Sequence, residues 1–283
     1  MGSEKPLVSV IVTTRNNSAT LDACLYSIKM QSYQPIELIV VDRDSTDDTK
    51  TIAGRYTDKL FNKGPERSAQ RNFGVGQATG KYVLITDSDM ELTRDVIASC
   101  VKTAENDPDI KGIIIPEESF GRGFWARCKQ LERSFYVGID WIEAARFYDR
   151  ATYQKVGGFN ESLISGEDWE LSERFRQISK VTRIPHFIRH NEGRLQLFKT
   201  LSKKAYYAKQ FTKYVEQGRA APMVAATHNP YAIVLKRFGL FLSQPHKLFR
   251  NPLLGFGVLF MKLCEFGFGA FGFWTARNQT EEA

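Results

Sequence analysis

Three stretches of this chain are continuous apolar, β-branched runs that stop abruptly at polar or acidic residues: "LVSVIVTTRN" from residue 7, "PIELIVVDRD" from residue 35 and "KYVLITDSD" from residue 81. A strand covered on both faces needs such a run, whereas a strand with one wet face alternates. Helical spacing fills the intervals. Leu21, Leu25 and Ile28 follow Ser18, read as a cap, and "ERSAQRNFGVGQATG" reads as a helix closed by Gly80. "DKLFN" adds a short third strand, and Ser45 or Thr46 is placed to cap the helix after the second. The alternation predicts an α/β fold, a Rossmann-like, mostly parallel open sheet with helices on both faces. Such sheets bind ligands beyond the carboxyl ends of their strands. Asp42 and Asp87 fall there.

Further along, "DIKGIIIP" predicts another strand and "FGRGFWARCKQLERSFYVG" an amphipathic helix. "EAARFYDRATYQKVGGF" reads as a strand and a short helix stopped by Gly157 and Gly158, and "GEDWELSERFRQISK" as a helix with three acids near its positive end. "VTRIPHFIRHNEG" closes the regular domain with short strands. Composition changes past Leu195, so the reading divides the chain into a folded domain, 1–195, and a basic, apolar helical region, 196–283. The four cysteines share no Cys-x-x-Cys spacing, which argues against a zinc site or a disulfide framework and for a reducing compartment. The N-terminus lacks the pattern of a secretory signal and its apolar run is too short to span a bilayer, so the folded domain is expected on the cytoplasmic side.

Asp87 and Asp89 flank a single serine in "VLITDSDMEL". Like charges so close repel, unless a divalent cation shares their hard oxygens and itself bridges to a diphosphate. The same two acids also suit a turn cap and a wet loop.

The segments "TTRN", "VVDRDSTDDT", "NKGPERSAQRNFGVGQATGKYVLITDSD" and "GEDWELSERFR" occur in one order on one sheet. Jointly they resemble the family-2 glycosyltransferases of the GT-A fold, whose usual forms are close to "VVDDGSTDGT", "G-x-x-x-A-R-N-x-G-x-x-x-A-x-G-x-Y-x-x-x-x-D-x-D" and "G-x-x-E-D". The resemblance covers most of residues 6–195 and implies a GT-A catalytic domain there. Implied too is metal-dependent, inverting transfer from a nucleotide sugar, with a UDP-sugar as the expected donor and Mn²⁺ or Mg²⁺ as the cofactor. It places Thr13 and Asp42 on the base and ribose, with Arg15, Arg67, Arg71 and Ser88 also around the donor. Asp87 falls to the ribose or the metal, and Asp89 and His190 to the metal. Asp168 becomes the base, Glu167 orients the acceptor, and Trp169 offers a platform for a sugar ring.

The residue chemistry is compatible with these roles. A carboxylate accepts from a base N–H; Arg67 and Arg71 share a helical face and their forks suit phosphate oxygens; inversion needs a group that takes the acceptor's proton. Read without the resemblance, Asp42 is a cap, Arg67 a solvated residue, the acids of "GEDW" partners of a helix dipole, and His190 a structural histidine. The usual Asp-Asp-Gly is here Asp42-Arg43-Asp44, so the turn lacks its glycine.

The formal charge is +7, yet from Arg183 onward 15 lysines and arginines face 5 acids. Lys203, Lys204, Tyr206, Tyr207, Lys209, Lys213 and Tyr214 are of the types enriched at membrane interfaces. In "PLLGFGVLFMKLCEFGFGAFGFW" the apolar residues gain roughly 0.3 to 0.6 kcal/mol each in a bilayer, while Lys262 and Glu265 cost roughly 2.5 to 3.5 kcal/mol apiece if central. The terms nearly cancel and five glycines weaken the helix. Helices lying in the interface are therefore expected rather than a span, which makes the chain peripheral or monotopic; ordinary core packing is the alternative. Similar segments follow the catalytic domain in relatives that act on lipid-linked acceptors, which points to a polyprenyl- or dolichyl-linked glycan. A polyprenyl-phosphate acceptor and a non-catalytic nucleotide-binding membrane scaffold are the alternatives. No zinc finger, helix-turn-helix or RNA-binding signature accompanies the charge, so no nucleic-acid partner is expected. A nucleotidyltransferase would want a glycine-rich loop where "TTRNNSATL" has none.

Overall fold

A computed structural model describes residues 4–216 and 230–281. They group into two compact units, the first of residues 1–117, 142–162 and 167–191, the second of 118–141, 163–166 and 192–283. The sequence reading draws one boundary at 195; in the structure residues 118–141 also group with the C-terminal helices.

The first unit is built on a seven-stranded sheet. In chain order its strands are β1 (Val8–Thr14), β2 (Ile36–Asp42), β3 (Leu60–Asn62), β4 (Tyr82–Asp87), β6 (Ile110–Ile114), β8 (Ala145–Asp149) and β9 (Lys180–Arg183). In space the order is β3-β2-β1-β4-β8-β6-β9. All neighbours run parallel except around β8, which is antiparallel to both β4 and β6. The short β5 (Met90–Leu92) pairs outside this sheet, antiparallel to the first residues of β10 (Ile188–Arg194).

Alternate residues of the central strands build two cores. Val8, Val10 and Val12, Leu38 and Val40, Tyr82 and Leu84 face α1 (Ser18–Lys29), α2 (Thr49–Ala53) and α4 (Val96–Asn106). Ile11, Ile39, Val41, Val83 and Ile85 face α3 (Arg67–Gln77), α6 (Arg150–Lys155) and α7 (Glu167–Ile178). Both faces are dry, which is why the sequence shows unbroken apolar runs.

Three expected helix ends differ. Ser18 is the first residue of α1 rather than its cap; Asn17 takes the cap position without a side-chain capping bond. Helix α2 starts only at Thr49, because Ser45 is drawn back onto Asp42. Helix α3 ends at Gln77, before Gly80. Gly80 instead lies so close to Leu7 O and Ser9 that a Cβ would collide with backbone.

The second unit holds the end of β7 (Glu117–Arg122), α5 (Phe124–Ser134), the last residues of β10, and four further helices: α8 (Leu197–Glu216), α9 (Pro230–Ser243), α10 (Pro245–Phe249) and α11 (Pro252–Glu281). The side chains of Lys209, Lys213 and Tyr214 lie outside the described residues. Despite its glycines α11 is continuous, and Pro252–Gly272 is long and apolar enough to cross a membrane by length and composition. Lys262 and Glu265, expected to burden an apolar face, are buried inside the unit and paired there with Lys129 and Glu132 of α5.

Candidate active site

Parallel register decides which strand ends share a rim. Thr14 lies opposite Asp42, Thr13 opposite Asp87, and Asp42 opposite Asn62. The carboxyl ends of β1 to β4 therefore form one row of polar side chains. Gln70, buried in α3, ties two of them together by donating from Nε2 to the carbonyls of Val41 (2.8 Å) and Thr14 (3.2 Å).

Asp42 is 1% exposed. Its carboxylate accepts from the Ser45 N–H (2.8 Å) and the Ser45 hydroxyl, with Lys50 Nζ 3.7 Å away. The position where the family has glycine is Asp44, at φ +48°. Aspartate tolerates the left-handed region better than most residues, and here Asn62 fixes it, its Oδ1 accepting from the Asp44 N–H at 3.2 Å and its Nδ2 donating to Asp44 Oδ1.

Arg71 sits at the centre of the rim with its side chain 1% exposed. The sequence reading sets it on donor phosphates; in the structure its guanidinium is shared among three carboxylates. Nη1 donates to Asp168 Oδ1 (2.8 Å) and lies 3.5 Å from Glu167 Oε1, while Nη2 reaches Asp87 Oδ1 and Oδ2 (3.0 and 3.3 Å). The Phe159 ring lies against the guanidinium, 5.0 Å from its carbon. Arg67, one turn earlier, brings Nη2 to 3.4 Å from Glu167, and the Thr13 hydroxyl donates to Asp87 Oδ1 at 3.2 Å. Arg146 of β8 adds a further cation, 4.0 Å from Asp87 Oδ2 and bonded to Glu117.

The cations and the burial sort the acids. Burial alone would raise the pKa of Asp87, but the charges of Arg71, Arg146 and Arg67 outweigh it and hold the carboxyl well below its usual range. Glu167 goes the other way: burial first, and then the charge of Asp168 beside it, push its pKa up, and Arg67 and Arg71 offset only part of that. Asp87 is therefore a fixed anion and Glu167 the acid more easily protonated.

Asp168 stands in the first turn of α7, 33% exposed, with Oδ1 held by Arg71. Trp169 is half-buried and donates its indole N–H to the Ile142 carbonyl at 2.8 Å. Asp89 and His190 meet across β5 and β10, Oδ2 to Nε2, at 3.2 Å. Asp87 is not drawn to this pair, and among the described residues no three His, Cys, Asp or Glu side chains gather closely enough to hold a metal ion. The residues still fit a divalent cation of the kind that takes one or two protein ligands and fills its shell from phosphate and water; Asp89 and His190 are the two that would hold it. Arg15 follows β1 and is exposed. Ser88 is buried, its hydroxyl accepting from Asn17 Nδ2 at 2.7 Å, so it fastens the loop before α1.

Arg146 is absent from the sequence-based set, whereas the resemblance sets Asn72 near the donor together with Arg71. Arg146 interrupts the apolar stretch of "ARFYD", and an arginine inside a buried strand is a signal that it has a partner. In the structure Asn72 is bonded to Tyr153 and Phe159. Its amide accepts from Tyr153 OH and the Phe159 N–H and donates to the Phe159 carbonyl, all at 2.8 Å, which holds the loop that carries Phe159 over Arg71.

The chain is similar to known proteins in sequence and in fold. A glycosyltransferase of PGL/p-HBAD biosynthesis from Mycobacterium tuberculosis is 29% identical over 195 residues, 65% of this chain and 75% of that one. The GalNAc(5)-diNAcBac-PP-undecaprenol beta-1,3-glucosyltransferase of Campylobacter jejuni is 30% identical over 109 residues, 35% of each chain. Among solved structures, the mannosyltransferase PcManGT of Pyrobaculum calidifontis, in complex with GDP-Man and Mn²⁺, superposes with a TM-score of 0.64 at 19% identity, over 96% of this chain and 88% of that one. The profile of Glycosyl transferase family 2 matches residues 9–164, ending just before Glu167 and Asp168. With more than half of its length matched and the GT-A sheet in place, this chain belongs to glycosyl transferase family 2 and is a nucleotide-sugar-dependent glycosyltransferase.

Proposed function

We propose that this enzyme moves a sugar, with inversion, from a nucleoside diphosphate to a hydroxyl of a polyprenyl- or dolichyl-linked glycan at the cytoplasmic face of a membrane. The observation that carries the reading is the rim of carboxylates around Arg71, in which Asp168 is the most exposed. Asp168 takes the proton of the acceptor hydroxyl as that oxygen bonds to the anomeric carbon, and the bond from that carbon to the diphosphate oxygen breaks with its electron pair leaving on the diphosphate. No covalent enzyme intermediate is formed. Arg71 holds Asp168 in place, and Glu167, buried beside it, orients the acceptor. Thr13 and Asp42 bound the base and ribose subsite at the ends of β1 and β2, with Arg15 and Arg67 on the donor side. A divalent cation at Asp89 and His190 would neutralise charge on the departing diphosphate.

A phosphate acceptor is already ionised and needs no base, so the presence of Asp168 favours a hydroxyl. The lipid-linked acceptor is supported by the undecaprenol compound in the name of the C. jejuni relative, and the nucleotide-sugar and Mn²⁺ requirement by the complex of the P. calidifontis enzyme. Screening UDP-, GDP- and TDP-sugars with Mn²⁺ or Mg²⁺ for a rise in Tm, followed by transfer of the labelled sugar, tests the reading, because a ligand that prefers the folded state stabilises it. A UDP-sugar is the expected hit. Asp89→Ala should weaken metal-dependent donor binding by about 10- to 100-fold; unchanged affinity would remove Asp89 from the site.

A further inference from the structure

Helix α11 is built inside out. Among its described side chains the charged ones point inward: Lys262 and Glu265 are 2% and 6% exposed. Lys262 pairs with Glu132 and, at 2.5 Å, with Glu265, while Lys129 lies 2.9 Å from Glu132 and 3.5 Å from Glu265. Tyr136 OH donates to Glu132 as well. Two lysines and two glutamates thus neutralise one another within the second unit.

Five of its large apolar residues point outward. Leu253, Phe256, Phe260, Leu263 and Phe271 recur at spacings of three, four, three and eight residues, one face of a helix, and are 68%, 68%, 41%, 64% and 61% exposed. Glycine makes this orientation possible. Gly255, Gly257 and Gly272 lie on the inner face, where a Cβ would strike the Leu248 carbonyl, the Cys128 sulfur and the Ala205 carbonyl. The small residues let α11 lie tightly on α5 and α8 and leave the bulky ones outside. The stripe extends beyond the helix: Trp125 of α5 stacks on Phe260 at 6.2 Å between ring centres, and Phe249 is 74% exposed just before α11.

A water-facing helix would reverse both choices, and an exposed apolar stripe of this length marks an interaction surface. The charge around it says of what kind. Arg122 and Arg127 flank Phe124 and Trp125, Arg250 precedes α11, and all three cations are exposed. Apolar residues rimmed by cations complement a bilayer with anionic headgroups. A second copy of the chain would set the same positive rim against its own.

We propose that the outward face of α11, continued by Trp125 and Phe249, is the surface by which this protein docks side-on into an anionic phospholipid bilayer. It rests on the proposed function only for the reason a bilayer is needed. The inner face, with its ion quartet, stays within the protein, so the helix lies along the membrane and does not cross it.

The test uses the full chain and vesicles of mixed phosphatidylglycerol and phosphatidylcholine. Wild type should float with the vesicles and stay bound through a concentrated-salt wash. Phe256→Glu with Leu263→Glu should reduce the bound fraction about tenfold or more, with Tm and with transfer to a water-soluble acceptor unchanged. The control Tyr26→Glu with Met30→Glu, exposed apolar residues of the first unit, should bind as wild type does. Undiminished binding of the α11 variant, or release of wild type by salt alone, overturns the proposal. So does a wild-type dimer that the variant dissolves while vesicle binding persists, which assigns the face to a second copy. In sealed membrane vesicles turned cytoplasmic side out, Ala283→Cys in a Cys264→Ser background should react with an impermeant maleimide; protection would mean a span and would overturn side-on docking. Vesicle binding without sugar transfer from any donor leaves this proposal standing and removes the proposed function, and transfer without vesicle binding does the reverse.

Discussion

Both units bury carboxylates against cations, and they do so to opposite ends. In the second unit Glu132, Glu265 and Lys262 are each no more than 5% exposed in their side chains, every charge has a partner, and the quartet is closed. In the first unit Arg71 is as deeply buried, but two of its three acids stay open, Asp87 at 19% and Asp168 at 33%. A closed cluster can only hold structure. An open one keeps a carboxylate whose position is fixed and whose charge is available, which is what proton removal requires.

Breaking each cluster at its buried cation sharpens the contrast. Arg71→Met strands three carboxylates and should lower stability by about 3 to 5 kcal/mol, and transfer by the folded fraction should fall by about 10²-fold or more. Arg71→Lys should rescue stability better than activity, since an ammonium cannot supply two planar contacts. Lys262→Met should cost a similar 3 to 5 kcal/mol yet leave kcat per folded molecule and donor affinity unchanged. Denaturant unfolding beside turnover separates the two; loss of turnover in Lys262→Met at full folding would erase the distinction.

With pH, Asp87 slopes as the acids of the second unit do, and Glu167 slopes against them. In the second unit burial would raise the pKa of Glu132 and Glu265, but Lys129 and Lys262 hold both below the usual value. Their contribution is present above the unfolded carboxylate pKa, about 4.3, and is lost as pH falls through the depressed folded values. Glu167 is raised instead, so its ionisation costs stability as pH climbs from the unfolded pKa to the folded one. Acid melting curves of Glu132→Gln with Lys262→Met should be flatter than those of wild type below about pH 4.3. The smallest effect belongs to Glu167→Gln, which should leave Tm at neutral pH unchanged or raise it by up to about 1 kcal/mol equivalent, while reducing transfer.

What was legible in the sequence follows from how local each feature is. Strands buried on both faces write themselves as unbroken apolar runs, so β1, β2 and β4 could be read directly, and their abrupt polar ends marked the rim. The antiparallel insertion of β8 could not, because "ARFYD" carries no marker of direction. Ser45 reads as a helix cap in sequence; only the fold shows that Asp42, three residues back, claims it. Arg71 was visible as a site residue but not as the hub of the rim, since Asp168 is 97 residues away. Lys262 and Glu265 in an apolar run looked like a defect for the same reason: their partner Glu132 comes from α5, more than a hundred residues earlier, and no periodicity within α11 reveals which way the charges turn.

The account depends on Asp168 acting as an open, fixed base in a rim that binds donor by other means. Sugar transfer and nucleotide-sugar affinity should therefore be measured side by side, in the presence of Mn²⁺, for wild type and Asp168→Asn. Transfer should drop by about 10²- to 10⁴-fold with the donor Kd nearly unchanged. Retained transfer, or equal loss of binding and transfer, would contradict it.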